Sequence, residues 1–126
     1  MKDLKAYLIT ENFVEKQYKF HHEDHDKCYN HGKFDELWEF YFETKVPQEW
    51  KEELKECGIK RKCLLCIEFF TPSYHLDGEL ESSGEAYYYD MNGASTGYPK
   101  KLDYDEREYF TKFCKDYVRD YDKYEK

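Results

Sequence analysis

The chain has 126 residues and a formal net charge of −8, which argues against direct binding of nucleic acid or anionic lipid because both need clustered Lys and Arg. Aromatic residues make up 20% of the sequence, and this argues against a disordered chain although 38% of the residues are charged. The length predicts a single domain that spans residues 1–126.

Residues 3–20 predict two short strands, because apolar residues alternate there on either side of a polar turn. The polar stretch 21–35 has no period and predicts a loop. Residues 36–46 predict a strong strand, since one face would carry Trp38, Phe40, Phe42, Thr44 and Val46 and the other Glu39, Glu43 and Lys45.

Residues 47–57 predict a short helix that opens on a proline. Trp50 and Leu54 stand four positions apart on one helical face, and Gly58 suits a left-handed stop. Residues 61–71 are apolar on both faces, which predicts a central strand that is covered on both sides.

Residues 73–81 and 85–91 predict a hairpin, because Ser82-Ser83-Gly84 between them has turn chemistry. A three-residue turn would pair Glu81 with Glu85, Glu79 with Tyr87 and Asp77 with Tyr89. A register shifted by one residue would place Tyr88 on that face and bury Tyr87 and Tyr89. The row of carboxylates is expected in either register.

Residues 92–102 contain Asn92-Gly93 and Pro99 and predict a loop. Residues 104–124 predict a long amphipathic helix, because Asp103 and Glu106 have the spacing of a capping box. Its predicted core stripe is aromatic and consists of Tyr109, Phe113, Tyr117 and Tyr121, flanked by Phe110, Cys114 and Val118. The order of elements predicts an α+β fold with a mostly antiparallel sheet of about five or six strands.

Residues 63–99 contain six acidic side chains and no Lys or Arg, whereas acids and bases are interleaved elsewhere. Alternate carboxylates on a strand stand about 6.6–6.8 Å apart, close to the roughly 6–7 Å between successive phosphates of a nucleic-acid strand. Neighbouring tyrosines are rigid interface anchors. The residues predicted to bind a partner are Asp77, Glu79, Glu81, Glu85, Tyr87 and Tyr89.

These features predict a non-enzymatic, acidic binding protein that occludes a basic surface of a partner protein, in the manner of a nucleic-acid mimic. The expected partner is a nucleic-acid-handling enzyme, and the expected state is a monomer or a small homo-oligomer. In size, charge and class the chain resembles the immunity proteins of bacterial toxins and virus-encoded inhibitors of host defence nucleases. This resemblance implies an inhibitor and assigns no residue. The competing interpretation is an exposed sheet face whose charge serves solubility alone.

A second hypothesis is a small metal-binding protein or metal-dependent enzyme that uses the predicted loop over residues 21–31. This stretch carries His21, His22, His25, Cys28 and His31. Cys28-x-x-His31 together with Cys63-x-x-Cys66 has the ligand count of a tetrahedral zinc site. However, a spacing of three sends Cys63 and Cys66 to opposite faces of a strand. We therefore expect no cofactor, with zinc as the alternative.

No set of catalytic residues is visible. The segment Gly93–Gly97 matches the G-x-S-x-G pattern, but no histidine follows Ser95 as that chemistry requires. A third hypothesis, an enzyme whose pocket is lined by tyrosines and carboxylates, would need a cleft that holds a buried acid.

The sequence predicts a cytoplasmic protein. Its five cysteines are irregularly spaced, which is a poor disulfide framework. The first residues contain no long apolar run, and no window is apolar enough to span a membrane, so neither a signal peptide nor a spanning segment is expected.

Overall fold

The computed structural model describes residues 17–31, 34–72 and 78–125. These residues form β1 (Lys19–His31), β2 (Phe34–Lys45), α1 (Lys51–Glu56), β3 (Lys62–Thr71), β4 (Glu79–Leu80), β5 (Glu85–Tyr89), β6 (Ser95–Lys101) and α2 (Tyr104–Glu125). The predicted α+β fold, its antiparallel sheet and both helices are confirmed; a 3₁₀ turn over Gln48–Trp50 leads into α1. The strands predicted within residues 3–20 lie mostly outside the described residues. Neither described helix has an apolar segment long enough to cross a membrane.

The sheet is antiparallel throughout, in the order β1-β2-β3-β5-β6, with β4 also paired to β3. β3 is the central strand, and most of its side chains are buried on both faces, as its apolar sequence predicts.

The predicted hairpin between residues 73–81 and 85–91 is wrong in its pairing. β4 and β5 lie end to end along the same side of β3, where Leu80 pairs with Phe69 and Tyr88 pairs with Leu65. The residues between Leu80 and Glu85 form a turn that connects the two strands. In this turn, the N–H of Gly84 donates to the carbonyl of Glu81 at 3.2 Å. This arrangement buries both Leu80 and Tyr88 against β3 and pairs more of its backbone than a separate hairpin would.

Residues 21–31 form most of β1, so the predicted loop there is wrong. β1 pairs with β2 from Lys19 opposite Glu43 to His31 opposite Phe34. Residues 21–27 are all polar, so no apolar alternation marks the strand, and the register shifts between Phe20 and His22. Its polar composition suits a strand at the edge of a sheet.

Residues 92–102, also predicted as a loop, contain the edge strand β6. The side chain of Asp90 accepts the N–H groups of Asn92 (2.9 Å) and Ala94 (2.8 Å), and Gly93 supplies the positive φ of +90°. The predicted turn is therefore the connection of a β5–β6 hairpin. Pro99 is tolerated because an edge strand can lack a ladder N–H.

The main core lies between one face of the sheet and α2. On α2, Phe110, Cys114 and Val118 are at most 1% exposed, and the predicted aromatic stripe is partly buried beside them. The sheet contributes the large side chains of β2 and β3 that pair across the two strands, such as Trp38 and Phe69. The buried face of α2 is thus centred one position away from the predicted stripe.

Helix α2 begins with the predicted capping box. Asp103 accepts the N–H of Glu106 at 2.8 Å, and one carboxylate oxygen of Glu106 accepts the N–H of Asp103 at 3.1 Å. The other carboxylate oxygen accepts the Tyr18 hydroxyl at 2.6 Å and lies 3.4 Å from the Lys100 ammonium. Both oxygens of this buried carboxylate are therefore satisfied.

All five cysteines are free thiols, and their burial predicts the order of their reactivity. Cys57 is exposed and Cys28 is half-buried. Burial raises the pKa of Cys63 to about 11 and also raises those of Cys66 and Cys114. Since the thiolate reacts, a chromogenic disulfide reagent is expected to label Cys57 first, Cys28 more slowly and the buried thiols only after unfolding. Peptide mapping by mass spectrometry checks this order, and rapid labelling of Cys114 in native buffer would contradict it.

Candidate functional site: the acidic face of the sheet

The face of the sheet that is turned away from α2 carries a small aromatic cluster. Tyr41 of β2 and Tyr89 of β5 flank β3, and their rings meet edge to face with centroids 5.3 Å apart. Leu64 and Cys66 of β3 are buried with Tyr41 in this cluster. His22 of β1 stacks on the Tyr41 ring with centroids 4.4 Å apart. Among the described residues, only strand side chains build it.

A row of carboxylates crosses the same face two residues further along the strands. Asp24 of β1 pairs with Glu39 of β2, and Glu39 pairs with Glu68 of β3. The N–H of Glu81 donates to the carbonyl of Glu68 at 3.1 Å, which places Glu81 beside Glu68. Neighbouring strands lie about 4.8 Å apart, and like charges directly opposite each other are destabilising. We call Asp24, Glu39, Glu68 and Glu81 the acid row.

Cationic side chains do not neutralise three members of this row. Within the described part of the chain, no Lys or Arg lies within 4.0 Å of the carboxylates of Asp24, Glu39 or Glu81. Asp24 is 74% exposed, and its nearest basic contact is the His22 ring at 4.0 Å. Glu81 accepts the N–H of Ser83 at 3.3 Å in the turn that follows β4. The row therefore presents net negative charge to solvent.

Neutral donors hold Glu39, the half-buried member of the row. Its carboxylate accepts the Tyr41 hydroxyl at 3.4 Å and the Cys66 thiol at 3.8 Å. Burial, and then the charge of Glu39, raises the pKa of Cys66. Burial also raises the pKa of the Tyr41 and Tyr89 hydroxyls, so all three groups stay protonated at neutral pH.

Five of the six residues predicted to bind a partner lie on this face, and Asp77 lies outside the described residues. Tyr87 pairs with Cys66 and Tyr89 pairs with Leu64, both members of the aromatic cluster. The five residues are Glu79, Glu81, Glu85, Tyr87 and Tyr89. The predicted pairs among them are wrong because β4 and β5 do not pair with each other. Together with the acid row they form what we call the acidic face.

Lysines occur at the margins of this face. Lys62 forms an ion pair with Glu43 at 2.8 Å, and this contact lowers the pKa of Glu43. Lys45 pairs with Lys62 at the end of the sheet that lies away from the acid row. Lys101 of β6 lies opposite Glu85 and marks the other margin. The acidic face is thus bordered by bases and acidic at its centre.

No known protein family, curated protein or solved structure matches this chain.

Among the described residues, the His and Cys side chains of the alternative metal site lie on both faces of the sheet. His22 belongs to the aromatic cluster, whereas His25 stacks on an indole of the opposite, core-facing side with centroids 3.9 Å apart. Cys63 and Cys66 are buried on opposite faces of β3, as their spacing predicts. Within the described residues, no three His, Cys, Asp or Glu side chains are grouped so that they could hold a metal ion.

The sequence did not reveal Asp24, Glu39 and Glu68 as members of the site. Each is a charged residue in a separate strand, and a charge at such a position is typical of any solvent-facing strand residue. The only signal that unites them is the pairing register, which needs the strand order β1-β2-β3 and the register shift within β1.

Proposed function

We propose that this is a non-enzymatic binding protein whose acidic face docks on a Lys- and Arg-rich surface of a partner protein and occludes it. The observation that carries the proposal is the acid row, in which four carboxylates lie side by side. The Asp24–Glu39 pair, in which no described Lys or Arg lies within 4.0 Å of either carboxylate, destabilises the free protein by roughly 0.2–1 kcal/mol. Guanidinium groups of a partner would turn this repulsion into charge-assisted hydrogen bonds. Solubility alone does not require the acids to be adjacent.

Tyrosines beside the acid row provide contact area for a partner in addition to the charge of the carboxylates. Tyr87 is 37% exposed, and its hydroxyl donates to Glu85 at 3.4 Å. Tyr89 is half-buried in the aromatic cluster and is therefore already fixed in place. Rigid, amphipathic rings of this kind dominate binding energy at protein interfaces.

The kind of partner follows from the charge. A surface built to meet phosphates carries Lys and Arg without acids of its own, and a nucleic-acid-handling enzyme has such a surface. A net charge of −8 speeds the encounter, and the acid row selects the orientation. The protein would inhibit by covering the surface on which the nucleic acid binds.

The combined substitutions Asp24→Lys and Glu81→Lys test this function. The new lysines would pair with Glu39 and Glu68, so the row would be neutralised within the molecule. We expect affinity for the partner to fall about 100-fold, with stability unchanged or higher because repulsion is removed. Partners are captured at low ionic strength on wild-type and variant baits, and titration calorimetry then gives each Kd. A short polyarginine peptide serves as a defined probe, and its largest amide shifts are expected around the acid row.

A matched control carries Glu52→Lys and Glu56→Lys. Both glutamates are exposed on α1, and Leu54 of that helix packs into the main core on the other side of the sheet. The two double variants have the same net charge, so an effect of overall charge would weaken both equally. Equal binding by both variants, for the captured partner and for the peptide, would remove the acid row from the mechanism.

A further inference from the structure

A cavity of about 600 Å³ opens on the side of the sheet that faces α2. It lies at the end of β2, between the segment that leads into α1 and strands β5 and β6. Its polar lining includes Tyr18, Thr44, Glu49, Tyr88 and Lys100. The volume falls within the roughly 300–1,000 Å³ of small-molecule sites.

Two buried hydroxyl groups line this cavity without a hydrogen-bond partner among the described residues. Thr44 is 7% exposed and Tyr88 is 2% exposed. Other buried hydroxyls in the core are paired: that of Tyr18 donates to Glu106 at 2.6 Å, and that of Thr71 accepts an indole N–H at 3.1 Å. Buried polar groups are almost always hydrogen-bonded in folded proteins. The two unpaired hydroxyls therefore indicate that the cavity receives a polar occupant.

Lys100 adds a third donor to the same cavity. Its ammonium lies 3.4 Å from Glu106, and its side chain is 19% exposed. An ammonium has three N–H donors, so one ion pair does not exhaust it. Burial and the charge of Glu49 raise the pKa of Tyr88, so its hydroxyl remains a donor at neutral pH. Donors from three elements thus converge on one space.

The charge balance of the cavity favours a neutral ligand. Glu106 already balances the charge of Lys100, and the rest of the lining carries one acid, Glu49, and one base, Lys45. A carboxylate ligand would find no unbalanced positive charge in this lining, whereas a carbonyl oxygen accepts hydrogen bonds without adding a charge. Val46 and Pro47 offer apolar contact for the rest of the molecule.

We propose that this cavity binds a small, neutral, carbonyl-bearing organic molecule whose oxygen accepts one hydrogen bond from Tyr88 and a second from Thr44 or Lys100. The site lies on the opposite side of the sheet from the acidic face, so it is a second site, independent of the function proposed above.

Benzamide, a neutral carbonyl compound, is the probe, with toluene and benzoate for comparison. Titrated into isotope-labelled protein, benzamide is expected to shift the backbone amides of Val46 and Tyr88 at millimolar concentrations. Tyr88→Phe removes only the hydroxyl and should weaken binding about tenfold. Tyr104→Phe alters a hydroxyl on α2 whose residue is 69% exposed, and it should leave the affinity unchanged.

Three outcomes would overturn the proposal: no amide shifts with benzamide up to its solubility limit, equal affinity in the Tyr88→Phe variant, or tighter binding of toluene or benzoate. The Asp24→Lys and Glu81→Lys variant should still bind benzamide as the wild type does. Failure of this site is thus distinguishable from failure of the acidic face.

Discussion

Glu106→Ala is expected to destabilise the protein by about 3–5 kcal/mol, the cost of removing one partner from a buried charge pair. The side chain is 4% exposed and accepts hydrogen bonds from the Asp103 N–H (3.1 Å) and the Tyr18 hydroxyl (2.6 Å). It also pairs with Lys100 at 3.4 Å. Alanine would leave all three donors without this acceptor. Urea unfolding followed by circular dichroism gives the free energy of unfolding.

Glu108→Ala is the matched control for this measurement. Glu108 is exposed two positions further along α2 and accepts the Tyr104 hydroxyl at 2.6 Å, so its loss is expected to cost less than about 1 kcal/mol. Glu106→Gln retains an acceptor oxygen but loses the charge, and it should fall between the two. If Glu106→Ala costs no more than Glu108→Ala, the buried network does not stabilise the fold.

The elements that sequence predicts correctly are those whose signal is local. Trp38, Phe40 and Phe42 fall on one face of the strand and Glu39 and Glu43 on the other, which is sufficient to define β2. The cap of α2 depends on two residues three positions apart, Asp103 and Glu106, and both of its hydrogen bonds are present. Such signals need no knowledge of which elements are neighbours in space.

The edge strands were missed because irregularities and polar composition hide their period. β1 shifts its register between Phe20 and His22, and β6 is irregular where it passes Gly97, whose φ is +78°. An edge strand also has one backbone edge that is exposed to solvent, and charged side chains are common on such strands.

The pairing of β4 and β5 is decided by β3 rather than by the turn between them. β3 is ten residues long, whereas β4 and β5 are two and five residues long, so both fit along one side of it. The described residues that were predicted to bind a partner lie on the acidic face because they occupy alternate positions along β4 and β5. The acid row and the cavity depend on contacts between distant segments, and no local pattern encodes those contacts.

Alkaline pH is expected to unfold the protein steeply. Burial raises the pKa of the Tyr18, Tyr41 and Tyr88 hydroxyls above the value of about 10 that tyrosine has in an unfolded chain. Below about pH 10 both states keep these protons, so the stabilisation is fully present. Above that pH the unfolded chain loses three protons that the folded protein retains. Stability should therefore fall by at least about 4 kcal/mol per pH unit, and the buried thiols add to this from about pH 8.5.

The Tyr88→Phe variant lacks one of these three hydroxyl protons and so measures its contribution to the pH dependence of stability. Because the Tyr88 hydroxyl has no hydrogen-bond partner among the described residues, its removal should leave the surrounding bonds intact and lower the slope by about 1.4 kcal/mol per pH unit. Urea midpoints at increasing pH give the slope, and tyrosinate absorbance shows whether the buried hydroxyls ionise together with unfolding. Gradual ionisation of every tyrosine in a protein that stays folded would contradict the burial of these three rings. An unchanged slope in Tyr88→Phe would show that this hydroxyl is already solvated in the folded state, so that it does not titrate as a buried group.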